Sequence, residues 1–143
     1  MIVPDPSPLP QSVRWSVWCW LAAVACGVLE ALLNAVTNPD YDVAVQLSIR
    51  AVVYVLVTLL IVRLRRGERW VRVALTVLLG VVGLASLLVE PISWLIGGGM
   101  PATFLAAADG PTLAVVALRA IHVVAVVAGL SLMYSPTANR FFK

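Results

Sequence analysis

Four ionisable residues interrupt the long apolar runs of this chain: Glu30, Arg50, Glu90 and Arg119. Two acids and two bases in that setting can do one of two things. Each Arg can offer its planar fork of donors to a carboxylate, tying one helix to another. Alternatively, one Glu can take up and release a proton that neighbouring polar groups relay. Helical spacing supplies such neighbours: Asn34 shares a stripe with Glu30, Gln46 and Tyr54 with Arg50, and His122 with Arg119. These eight residues form the candidate polar cluster. The pairing to test first is Glu30 with Arg50, with Glu30–Arg119 and Glu90–Arg50 left open.

Other chemistry has little to stand on. His122 is the only histidine, and the chain has no Cys-x-x-Cys, no Gly-x-Ser-x-Gly and no phosphate-cradling Gly-rich loop. Cys19 and Cys26 lie two helical turns apart, roughly 10 Å, too far for a disulfide within one helix. Neither a nucleophile nor a general base is nominated, and no cofactor and no metal is expected.

The elements that hold the cluster follow from composition. Of 143 residues, 62% are hydrophobic and 12% charged, and the mean hydropathy is +1.00, where a soluble domain is about half apolar and a quarter charged. The apolar residues gather in runs of the length that crosses a hydrocarbon core about 30 Å thick. Four membrane spans are expected over 13–36, 43–64, 70–96 and 112–133, forming one all-α domain over 13–134 as an up-down-up-down four-helix bundle. A Pro-rich tail over 1–12 precedes it, with Ser12 as helix cap, and a second tail follows over 135–143. Both tails are expected on the cytoplasmic side. Each of the four charges lies six or seven residues from the outer end of its span. At 1.5 Å per residue that is roughly 10 Å deep, so all four share one layer. A charge alone in lipid costs at least about 2.5 kcal/mol, which favours turning the layer inward.

Between the second and third spans lies a basic hinge, with Arg63, Arg65, Arg66, Arg69 and Arg72 around Gly67. The connections at the other end carry Asp40, Asp42 and Asp109 and no Lys or Arg. That asymmetry places the hinge and both termini inside, with the hinge as an anchor on anionic lipid. Pro91 is expected to kink the third span, 101–108 to form a short interfacial helix, and Phe141 and Phe142 to anchor the tail at the membrane surface. Nucleic acid is not an expected partner, because no basic face is free of the membrane.

The two halves also resemble each other. Ile49-Arg50-Ala51-Val52-Val53-Tyr54-Val55 parallels Leu118-Arg119-Ala120-Ile121-His122-Val123-Val124, and the first and third spans both open with Arg-Trp. Two repeated helical hairpins would be related by an axis along the membrane normal.

The Val/Ala/Leu-rich, lysine-poor helices and the ending Ser135-Pro136-Thr137-Ala138-Asn139-Arg140-Phe141-Phe142-Lys143 resemble small four-span membrane proteins of high-GC actinobacteria. That resemblance implies residence in a bacterial plasma (inner) membrane and transfers no activity. Small multidrug transporters are similar in size, but their essential Glu lies mid-span in the first helix, whereas Glu30 is near an end. Quinone-reducing thiol oxidoreductases need the Cys-x-x-Cys that is missing. The sequence therefore reads as a non-enzymatic integral membrane protein, an accessory or assembly subunit of a larger membrane complex. Its partners would be the lipid bilayer and other membrane subunits, with homo-oligomers open. The alternative is a small proton- or ion-coupled transporter using Glu30 or Glu90.

Overall fold

A computed structural model describes residues 8–142, and these are helical with short connections. The Pro-rich stretch over 1–7 and Lys143 lie outside the described residues. Four helices are long and apolar enough to cross a membrane: Gln11–Thr37, Val43–Leu64, Arg69–Ile96 and Gly110–Met133. Helix is what such sequences form in hydrocarbon, since it satisfies every backbone N–H and C=O within the segment. Two short helices complete the chain, Pro101–Ala107 before the fourth span and Pro136–Phe141 after it.

The helix starts follow local chemistry. Asp42 accepts a hydrogen bond from the Val45 backbone N–H at 3.1 Å, and Asp109 accepts one from that of Thr112 at 2.9 Å, so each caps a span. Ser12 does not cap the first span. The helix begins at Gln11 with Pro10 before it, and the Ser12 hydroxyl instead lies 2.8 Å from that of Thr137. At the hinge the backbone turns through Gly67 at φ 76°, a left-handed conformation that costs glycine little.

The first and fourth spans make the most extensive contact in the molecule. Trp20 packs where Gly129 has no side chain, and a methyl group there would stand 3.1 Å from the indole. Further along, Arg119 meets Glu30 at 2.9 Å. Residue numbers rise along one helix as they fall along the other, so the two run antiparallel. The third span also runs antiparallel to the fourth, through Thr76–Tyr134 at 2.8 Å and Glu90–Arg119 at 3.1 Å. The second span packs on the first and on Arg69–Leu75.

Within the third span, Thr76–Gly83 is π-helical, a wider turn that appears where an α-helix accommodates an irregularity. Gly80 sits in this segment with Leu130 of the fourth span close against it; a methyl there would lie 3.1 Å from Leu130 Cδ1. The irregularity of this span thus falls at Thr76–Gly83, while the α-helix Leu84–Ile96 runs through Pro91.

The apolar core lies toward the hinge. Val57, Leu60, Ile61, Leu64, Val71 and Leu75 are buried there. The C-terminal helix closes this end. Phe142 is buried, and Arg72 lies over its ring and that of Tyr134, 5.1 and 4.6 Å from the centroids. Arg72 also donates to Asn139 Oδ1 at 2.6 Å. Phe142 is therefore part of the core rather than a free surface anchor, because the tail folds back under the hinge.

Candidate functional site

The polar cluster sits at the opposite end, near the Thr37–Asp42 and Gly97–Asp109 connections. Its centre is Arg119. Nε donates to Glu30 Oε1 at 2.9 Å and Nη1 donates to Glu90 Oε2 at 3.1 Å. One guanidinium thus joins the first, third and fourth spans. The two carboxylates differ in setting: the Glu30 side chain is 3% exposed and that of Glu90 is 78% exposed. A buried carboxylate is tolerable where donors reach it, and Arg119 supplies them to Glu30. The first span carries the buried small residues Ala23, Gly27 and Ala31, and it meets the fourth closely where Trp20 lies against Gly129.

Arg50 is placed differently. Among the described residues it forms no ion pair, and its one side-chain bond is a long donation from Nη1 to the Tyr54 hydroxyl at 3.5 Å, at the limit of hydrogen bonding. Tyr54 in turn lies against Gly27, where an added methyl would come within 2.5 Å of the phenol oxygen. That close fit brings the second span onto the first with the Tyr54 ring between them.

His122 is buried, and neither ring nitrogen has a hydrogen-bond partner. It lies within electrostatic reach of Glu30 and Arg50. Gln46 is exposed with no side-chain bond to the cluster. Asn34 stands at the wall of a cleft of about 640 Å³, together with Glu90, Phe104, Asp109, Thr112 and Arg119. This cleft opens at the loop end, and its lining mixes polar side chains with Pro39, Phe104, Pro111, Val115 and Val116. Asp109 at its rim is held below the usual carboxylate range by hydrogen bonds from Thr112.

Of the three Glu–Arg pairs considered from sequence, Glu30–Arg119 is present, and among the described residues neither Glu30–Arg50 nor Glu90–Arg50 is an ion pair. The three-membered chain Glu30–Arg119–Glu90 takes the place of two separate pairs. The reason is packing: the first span makes its most extensive contact with the fourth and a smaller one with the second, where Tyr54 lies against Gly27. Two features escape a reading by residue type, namely the cleft and the Tyr54–Gly27 contact. Gly27 does belong to the Ala23–Gly27–Ala31 ridge, which is a legible signal of close approach. The cleft has no such signal, since it depends on where Pro101–Ala107 and the end of the first span come to rest.

The hinge arginines are also partly engaged. Arg69 Nε donates to the Phe142 carbonyl at 3.4 Å, and Arg63 lies over the Trp70 ring at 5.9 Å. Arg65 and Arg66 are exposed.

Among the described residues no group of three or more His, Cys, Asp or Glu side chains is placed to hold a metal ion. Cys19 and Cys26 are both free thiols. What the arrangement can do chemically is hold helices in register through charge and present one carboxylate, Glu90, to a cleft. Comparison with known proteins finds no matching family model, no matching curated protein and no matching solved structure.

Proposed function

We propose that this chain is a non-enzymatic membrane subunit whose loop-end half is completed by further transmembrane helices in a larger assembly. It would sit in a bacterial inner membrane as an up-down-up-down bundle, with the basic hinge and both termini on the cytoplasmic side, as the distribution of Arg and Asp favours. One observation carries the reading. No residue of the second span before Val57 is buried, nor any of Leu84–Ile96, and that thinly packed half contains Arg50 without a carboxylate and Glu90 with most of its side chain uncovered. Exposed Val and Leu suit lipid. Charge exposed to hydrocarbon does not, and Arg50, unlike Glu90, does not line the cleft.

Site-directed photocrosslinking in native membranes tests this. A probe at Ile49 or Val89, both exposed on the loop-end half, should capture protein, and one at Val62 on the hinge half should capture lipid alone. Lipid alone at all three sites would contradict the proposal.

The cleft favours a second reading, a proton- or ion-coupled transporter with Glu90 as the titrating group. Glu90→Gln should then abolish flux in liposomes while leaving the fold unchanged. Unchanged flux would exclude it.

A further inference from the structure

The layer around Arg119 is incomplete within one chain. It alternates acid, base and acid through Glu30, Arg119 and Glu90, and Glu90 uses only Oε2, so Oε1 carries no bond. The remaining base of the layer is Arg50, whose guanidinium among the described residues bonds only to the Tyr54 hydroxyl. One further contact would give the series a fourth member and neutralise it, a carboxylate–guanidinium contact between Glu90 and Arg50. Within the chain these two belong to different arms. The second span holds to the first, and the third holds to the fourth through Glu90, while the second and third spans pack together along Arg69–Leu75 at the hinge end.

We infer that a second copy of this chain supplies the missing contact, in a parallel dimer where Glu90 of each copy meets Arg50 of the other. The inference rests on the reading of the loop-end half as an unfinished contact surface, and it names what finishes it. Depth is the first argument. Two copies inserted with the same orientation are related by an axis along the membrane normal, and that operation keeps every residue at its own level. Only residues of one layer can pair across such an axis, and Arg50 and Glu90 lie seven and six residues from the loop ends of their helices. Charge is the second. The loop-end half carries one base with no carboxylate, Arg50, and one acid with an unbonded oxygen, Glu90, so two copies offer each other complementary charge. A two-fold interface then makes the contact twice. Exposed apolar side chains adjoin the charges along each helix, Ile49 next to Arg50 and Val89 next to Glu90, and apolar surface of this kind suits the core of an interface.

The experiment uses the full chain and its charge reversals in liposomes, with dimer fraction read by single-molecule photobleaching at matched dilution. Arg50→Glu alone makes the proposed face wholly acidic, and Glu90→Arg alone makes it wholly basic. Each should lower the dimer fraction by at least about tenfold, since like charges then meet at both contacts. Mixed together, the two variants should form heterodimers, because each acid again faces a base. Absence of mixed dimers would overturn the inference.

Crosslinking covers the case in which a reversed chain fails to fold. With Cys19 and Cys26 replaced by Ala, the Ile49→Cys and Val89→Cys chains co-expressed should join through a short bis-maleimide, and either chain paired with Val62→Cys should not. If Ile49 and Val89 join only to other proteins, the second copy is excluded and the wider reading stands. If they join to nothing, the second copy is excluded, and lipid-only photocrosslinking at Ile49 and Val89 is what would overturn the wider reading as well.

Discussion

The two ends of this bundle are built on different principles. At the hinge end, side chains of all four spans and the C-terminal helix interlock. Trp20, Leu64, Val71, Met133 and Phe142 are each no more than 2% exposed, and Arg72 fastens the tail by stacking and by its bond to Asn139. At the loop end the first and fourth spans remain together while the second and third bury nothing, and the third is linked to the fourth by the Glu90–Arg119 pair. Apolar packing is dense and tolerant of small losses. A charged link is sparse, and removing one member strands another in a dry site. The π-helical segment Thr76–Gly83 lies where one regime gives way to the other, since Leu79 is the last buried residue of the third span.

Trp20→Ala removes the largest fully buried side chain and should cost about 3–5 kcal/mol of unfolding free energy, measured by steric trapping in bicelles. Ile92→Ala, on the exposed loop-end half, should stay within about 0.5 kcal/mol. Equal losses at both sites would erase the distinction between the ends.

Next comes the charged link. Arg119→Leu leaves Glu30 buried without its donor and should destabilise by about 3 kcal/mol. Adding Glu30→Leu should recover most of that, whereas adding Glu90→Leu should recover little, because Glu90 already reaches the open cleft. The double-mutant cycle in the same assay decides between the two carboxylates.

A smaller effect is expected at Gly27. Gly27→Ala drives a methyl into the Tyr54 phenol and should cost about 1–3 kcal/mol. Tyr54→Leu should relieve it, and failure to do so would place the strain elsewhere.

The smallest effect concerns the cleft rim. Asp109 has a depressed pKa in the folded protein because Thr112 donates to its carboxylate. Its cap contribution is therefore fully present above the usual carboxylate pKa and is lost as pH falls through the depressed value. A carboxyl-carbon NMR titration should show Asp109 titrating below the usual carboxylate range, and the Thr112→Val variant should raise it.

Much of the hinge end and of the span layout is written in local residue types. Apolar runs bounded by Asp42, Gly67 and Asp109 place the four helices to within a few residues, because capping and turn chemistry act over short distances. Depth in the chain also puts Glu30, Glu90 and Arg119 in one layer. Their pairing is a different matter. Arg50 and Arg119 occupy matching positions in similar heptapeptides, yet Arg119 bridges two carboxylates and Arg50 meets only a tyrosine. Which arginine reaches Glu30 depends on how closely each helix lies against the first, and that is set by contacts spread along whole spans, from Trp20 on Gly129 to Tyr54 on Gly27. The fate of the tail was hidden for a similar reason. Phe142 reads as a surface anchor by type, and it becomes core because the tail folds back so that Arg72 covers its ring while Phe141 lies against Gly67.

The most direct test of the contrast between the two ends is a pair of electron–electron distance measurements between the second and third spans, in lipid nanodiscs with spin-labelled chains diluted in unlabelled ones. Labels at Val62 and Val73, exposed near the hinge, should give a short and narrow distribution. Labels at Ile49 and Val89, near the charged layer, should give a longer and broader one. Distributions of equal length and width at the two ends would contradict the account.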